Sequence, residues 1–184
     1  MKHSVALITS TAVLLFSTAC EDRRFEQFSA SMGGPVQGQL APHYAARTLE
    51  GDSISLSDYR GEAVLVNFWA TWCKPCVAEF PDLIALEEEL RPQGFRIVGV
   101  SIDTRPAEEV SQFLDRHGVT WTNVRDSDLR VDATFGWKSG VPKNLLLDRN
   151  GRVVVWWWGR LDTSLERNRD FFEQALAIQD VGKG

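Results

Sequence analysis

The pattern of apolar and polar positions along the chain alternates between two periods. The stretch "AVLVNFWA", Ala63 to Ala70, is a continuous apolar run of strand length, as expected of a strand buried on both faces. From Cys73 to about Leu90 the period changes to helical, with Val77, Phe80, Leu83, Ile84, Leu86 and Leu90 forming one stripe. Gly94 ends it, and "FRIVGVSI", Phe95 to Ile102, is a second buried strand. Strand, helix and strand in that order predict a parallel pair with a right-handed crossover.

On either side of this unit the pattern is shorter in range. Ahead of it, "YAARTLEGDSISLSDYRG" predicts a hairpin turning at Glu50-Gly51-Asp52, with Ile54 and Leu56 alternating with serines. Behind it, "RPAEEVSQFLDRHG" has the early acids, late bases and terminal glycine of a helix. A short helix is expected over Asp128 to Phe135. "KNLLLD" and "RVVVWWW" then form a hairpin through Arg149-Asn150-Gly151, in which Trp156, Trp157 and Trp158 must face alternate sides. A final amphipathic helix runs from Ser164 to Ile178 on Leu165, Phe171, Phe172, Leu176 and Ile178. The expected fold is α/β, a mixed sheet flanked on both faces by helices, with no internal repeat.

The first forty residues follow neither period. Lys2 precedes an apolar run from Val5 to Phe16 and the small residues Ser17-Thr18-Ala19, the layout of an export signal over residues 1–19. The run is too short to span a membrane comfortably. Cys20 directly after Ser-Thr-Ala resembles the lipobox of bacterial lipoproteins, which implies lipidation at Cys20. Simple cleavage, or retention as an anchor, are the alternatives, and all three place the domain outside the cytoplasm. Residues 20–40 are polar and rich in Gly, Ser and Gln, and read as a tether reaching about 25 Å. The folded domain is expected over 41–184.

Charge adds an exclusion. A net charge of −5 over 184 residues, with no basic stripe, argues against nucleic acid as a partner.

The candidate chemistry lies in "WATWCKPCVAEFP", which holds two of the three cysteines, Cys73 and Cys76. A disulfide across so short a loop stabilises weakly as a staple. A zinc site needs about four ligands, and the domain offers His43 and His117 without motif spacing. The remaining reading is a redox pair. A cysteine at a helix N-terminus has its thiolate stabilised by the dipole and the unpaired N–H groups, which suits Cys73 as nucleophile. Cys76, one turn deeper, suits the resolving role. Pro75 stiffens the helix start, and Lys74 is a cation that further favours the thiolate and so a more oxidising disulfide. Glu79 lies three residues after Cys76 on the same face. If buried, its raised pKa fits it to carry the proton of Cys76; a solvent-facing helix glutamate is the competing reading.

"VNFWATWCKPCVAEFP" resembles the active-site segment of the thioredoxin superfamily, in particular its membrane-tethered extracytoplasmic members of the TlpA, ResA and CcmG type. The similarity runs over about residues 41 to 178, including the N-terminal hairpin and a helix inserted after "VGVSID". It implies a thioredoxin fold and a thiol:disulfide oxidoreductase, a reductase of protein disulfides serving proteins such as apocytochrome c. Disulfide oxidase or isomerase, or a metal-handling module, are the alternatives. It implies a membrane thiol carrier as electron donor, no cofactor, no metal and a monomer. Asn67 stands where cytoplasmic thioredoxins carry a buried aspartate, and an amide moves no proton. In "SGVPKN", Pro142 occupies the superfamily's cis-proline position, so that Val141 would offer its backbone to an extended substrate. Lys143 and Asn144 depart from the small or hydroxyl residues common after that proline. Trp72 is expected at the rim beside Cys73. No Pro-x-x-x-Thr-x-x-Cys pattern precedes Cys73, which argues against a peroxiredoxin.

Overall fold

A computed structural model describes residues 34–138 and 140–178. The export signal over 1–19, Cys20 and most of the 20–40 tether lie outside the described residues.

The strands are β1 (Ala45–Arg47), β2 (Ser53–Ser55), β3 (Ala63–Trp69), β4 (Phe95–Ser101), β5 (Thr122–Arg125), β6 (Lys143–Leu147) and β7 (Val153–Trp158). The helices are α1 (Lys74–Leu90), α2 (Ala107–Arg116), α3 (Arg130–Phe135) and α4 (Glu166–Ala177). β1 and β2 form a separate two-stranded sheet, and the others lie in the order β5-β4-β3-β6-β7. β3, β4 and β5 are parallel, while β6 and β7 run antiparallel to their neighbours. The expected β-α-β unit is therefore present, with Ala63 opposite Phe95 and Trp69 opposite Ser101.

Alternation along β3 divides the core. Leu65 and Trp69 face α1, α2 and α4, packing with Phe80, Leu83, Val110, Leu114 and Phe172. Val64, Val66 and Phe68 face the other way, onto Tyr44, Leu56, Val131, Phe135 and Trp137. That second face is covered by the β1–β2 hairpin, the 3-10 turn Leu56–Tyr59 and short α3 rather than by long helices. The tryptophans of β7 obey the same parity: Trp156 joins the second cluster, and Trp157 stacks on Phe172 in the first.

Two features depart from the expectation. The edge strand β5 was not anticipated, because Thr122 and Asn123 give it no apolar pattern. Its Asn123 side chain instead accepts a hydrogen bond from the buried Trp69 indole at 2.9 Å. The chain also joins the domain before Ala41. Gly38 N–H donates to Val153 O at 2.7 Å and Val153 N–H to Gln39 O at 2.9 Å, so residues ahead of the expected boundary satisfy the start of β7.

Candidate active site

β3 ends at Trp69, and the loop Ala70-Thr71-Trp72 delivers Cys73 as the N-cap of α1. The loop is fixed from just beyond β4: buried Asp103 accepts from Thr71 N–H at 2.6 Å and from its hydroxyl at 2.9 Å. Cys73 and Cys76 form a disulfide with Cα atoms 5.3 Å apart, and Cys73 Sγ accepts the Cys76 N–H at 3.3 Å. The outer sulfur thus sits on the backbone donors of a helix N-terminus, the environment that stabilises a thiolate once the bridge opens. Lys74 and Pro75 are the first two helical residues and both are exposed. Trp72 is 61% exposed, so a large ring stands in solvent beside Cys73. Farther along α1, Pro81 removes one N–H from the helix ladder without ending the helix.

Glu79, one turn beyond Cys76, is 0% exposed. Three elements meet on its carboxylate. Asn67 of β3 donates to Oε1 at 2.7 Å, and the Leu161 N–H donates to Oε2 at 3.0 Å. Asn144 of β6 approaches both oxygens at 3.4 and 3.5 Å. The two amides are joined as well, Asn67 Nδ2 donating to Asn144 Oδ1 at 2.9 Å. Burial pushes the Glu79 carboxyl up from 4.5 to about 7, against the Leu161, Asn67 and Asn144 hydrogen bonds, which favour the charged form. Arg160 acts on it weakly, being exposed and paired with Asp82 at 2.6 Å.

The opposite wall follows from strand register. Phe68 pairs with Lys143, so the residue before β6 lies at the end of the sheet where β3 hands over to the cysteine loop. That residue is Pro142, and the Val141–Pro142 peptide is cis. Val141 packs against the cluster that contains both cysteines. Lys143 points to the other face of the sheet, and Asn144 back toward Glu79.

A disulfide at a helix N-terminus, Pro142 at the same end of the sheet and a buried carboxyl form an arrangement able to support thiol–disulfide exchange. The AhpC/TSA family model matches residues 37–156. The chain belongs to the AhpC/TSA family. Within it, the segment before Cys73 lacks the peroxidatic pattern, and the relatives point to disulfide chemistry. The thiol-disulfide oxidoreductase ResA of Geobacillus thermodenitrificans is 34% identical over 154 residues, covering 83% of this chain and 87% of the relative. ResA of Bacillus anthracis is 30% identical over 154 residues, covering 84% and 88%. A Chlorobium tepidum structure described as thiol:disulfide interchange protein DsbE superposes with a TM-score of 0.69 at 29% identity, over 77% of this chain and 99% of that one. The thioredoxin domain of a Bacteroides vulgatus thiol-disulfide oxidoreductase gives 0.64 at 28%, over 77% and 98%. The protein is a thiol:disulfide oxidoreductase with a thioredoxin fold of the TlpA, ResA and CcmG type.

The structure places the sequence candidates Cys73, Cys76 and Glu79 along the first turns of α1, and adds Asp103, just past β4 in "SID", as the residue that holds the cysteine loop. Sequence reasoning noted Asn144 as a departure, without its contact to Glu79.

Proposed function

We propose that this oxidoreductase reduces disulfides in protein clients outside the cytoplasm, with Glu79 as its acid–base group. The observation that carries the reading is the fully enclosed Glu79 carboxyl, three residues from the resolving cysteine and poised to change charge near neutral pH. In the reduced protein, the Cys73 thiolate attacks one sulfur of the client disulfide, and the other client sulfur leaves as a thiolate that takes a proton from water. Cys76 gives its proton to Glu79 and attacks Cys73 Sγ, expelling the second client sulfur as a thiolate, and the proton held by Glu79 is returned through solvent as that thiolate is protonated. Two electrons have moved to the client, and the enzyme holds the Cys73–Cys76 disulfide seen here. A membrane thiol carrier returns it to the dithiol.

The groove for the client lies between Trp72, Lys74 and Pro75 on one side and Val141 with cis-Pro142 on the other. An extended polypeptide pairs there with the Val141 backbone, as strand-addition sites do. Lipidation at Cys20 after removal of residues 1–19 would hold this domain as a monomer at the extracytoplasmic face of the membrane, and the resemblance to the TlpA, ResA and CcmG type supports apocytochrome c as a client.

Equilibration of the Cys73–Cys76 couple in defined thiol/disulfide buffers tests the direction. A potential below roughly −230 mV supports a reductase, whereas one near about −120 mV makes the protein an oxidant.

A further inference from the structure

Lys143 is the residue whose burial the reaction scheme leaves unexplained. It is 1% exposed, in a strand otherwise built of Asn144 and three leucines. Taking an ammonium out of water costs several kcal/mol unless it is well paired, so a core built for stability alone would carry an apolar side chain here. Its partners are specific. Nζ donates to Asp132 Oδ1 of α3 at 2.9 Å and to the Lys138 carbonyl at 2.7 Å. It also lies 5.1 Å from the Trp137 ring centroid and 4.9 Å from that of Trp158, within cation–π range of both. Desolvation lowers its pKa, and the hydrogen bond and charge of Asp132 oppose that, favouring the ammonium.

Every one of these contacts bears on the segment leading to cis-Pro142. Trp137 and Lys138 begin it. Gly140, at φ +135°, lies against the Trp158 ring, where an added Cβ would come within 3.1 Å. The Pro142 carbonyl accepts from Gly159 N–H, next to Trp158, at 2.9 Å. One ammonium therefore ties the helix before the segment and the segment's start to the Trp158 ring, on which Gly140 rests.

We propose that Lys143 is a positioning residue for the client groove: its ammonium anchors Trp137, Lys138 and the Trp158 ring on which Gly140 rests, and so presets the Val141 backbone for an extended substrate. The inference rests on the reading of Val141 and cis-Pro142 as that groove. Because Lys143 occupies the face of the sheet away from the cysteines, it acts on the wall of the groove and not on the sulfur chemistry.

The test uses the full-length protein, comparing kcat and KM for an extended disulfide-bonded peptide and for the small disulfide 5,5′-dithiobis(2-nitrobenzoate). Lys143→Met keeps the length and apolar stem while removing the charge. Its ratio of peptide to small-disulfide kcat/KM is expected to fall about tenfold, carried by KM for the peptide, because the unclamped loop must be ordered on binding. A folded Lys143→Met protein with the wild-type ratio, or with an equal loss for both disulfides, overturns the proposal. Should that variant not fold, Asp132→Asn removes the counter-charge while keeping the packing and is read by the same ratio. Pro142→Ala separates the two layers. A lowered ratio there with a wild-type ratio for Lys143→Met rejects the clamp alone, whereas wild-type ratios for both reject the groove and the clamp together.

Discussion

Two buried charges flank the same pair of strands, and they are treated in opposite ways. Glu79 meets β3 and β6 on the cysteine side, where its partners are two amides and a backbone N–H, none of them charged. Lys143 lies on the far side, where it meets a carboxylate at 2.9 Å, a carbonyl and two indole faces. At Glu79 the desolvation outweighs these neutral donors and drives the carboxyl up to about 7, where it changes charge in the working pH range. Burial also lowers the Lys143 pKa, but there a carboxylate opposes the shift and, with the carbonyl and the ring faces, fixes the side chain in place. A buried acid with only neutral hydrogen-bond partners suits a proton carrier, and a buried base paired with a carboxylate suits a clamp.

Removing either charge should therefore give different signatures. Lys143→Ala leaves Asp132 and the Lys138 carbonyl without their donor and should cost about 3 kcal/mol at pH 7, read from denaturant midpoints. A loss below about 1 kcal/mol would mean that the pair is not a structural anchor. Glu79→Gln should act through pH instead. With the folded-state pKa about 7 and the ordinary value 4.5, the folded protein keeps a proton that the unfolded chain has released. Wild-type stability should then fall by about 3 kcal/mol as pH rises from below 4.5 through about 7, and level off above. The glutamine variant should lack that fall; parallel pH profiles for the two proteins would contradict the assignment. Asn144→Thr should have the smallest effect. Losing a donor that favours the carboxylate moves the wild-type fall to higher pH and changes stability at pH 7 by less than about 1 kcal/mol. A shift to lower pH would show that Asn144 disfavours the charge.

How much of this was legible in the sequence depended on the range of the signal. The runs Ala63–Trp69 and Phe95–Ser101, with the helical stripe between them, are local patterns and gave the β-α-β unit directly. The cysteine spacing and the Asn-Gly turn are local too. Thr122–Arg125 was not readable, because β5 is defined by its pairing with β4 and by the Asn123–Trp69 bond rather than by apolar residues. Segments ahead of Ala41 looked like a tether because the contacts of Gly38 and Gln39 lie more than a hundred residues away. The Glu79 contact to Asn144 spans 65 positions, and Lys143 in "KNLLLD" reads as a solvated strand end. Its burial follows from Trp137 and Trp158 closing over it, which no spacing rule contains.

The central claim, that Glu79 carries the proton of the resolving cysteine, is tested most directly by single-turnover reduction of a client disulfide across pH 5 to 9. The wild-type rate should show a limb near pH 7 that Glu79→Gln abolishes, with the rate at pH 8 lowered about 10²-fold or more. A glutamine variant that keeps both the limb and the rate would contradict the account.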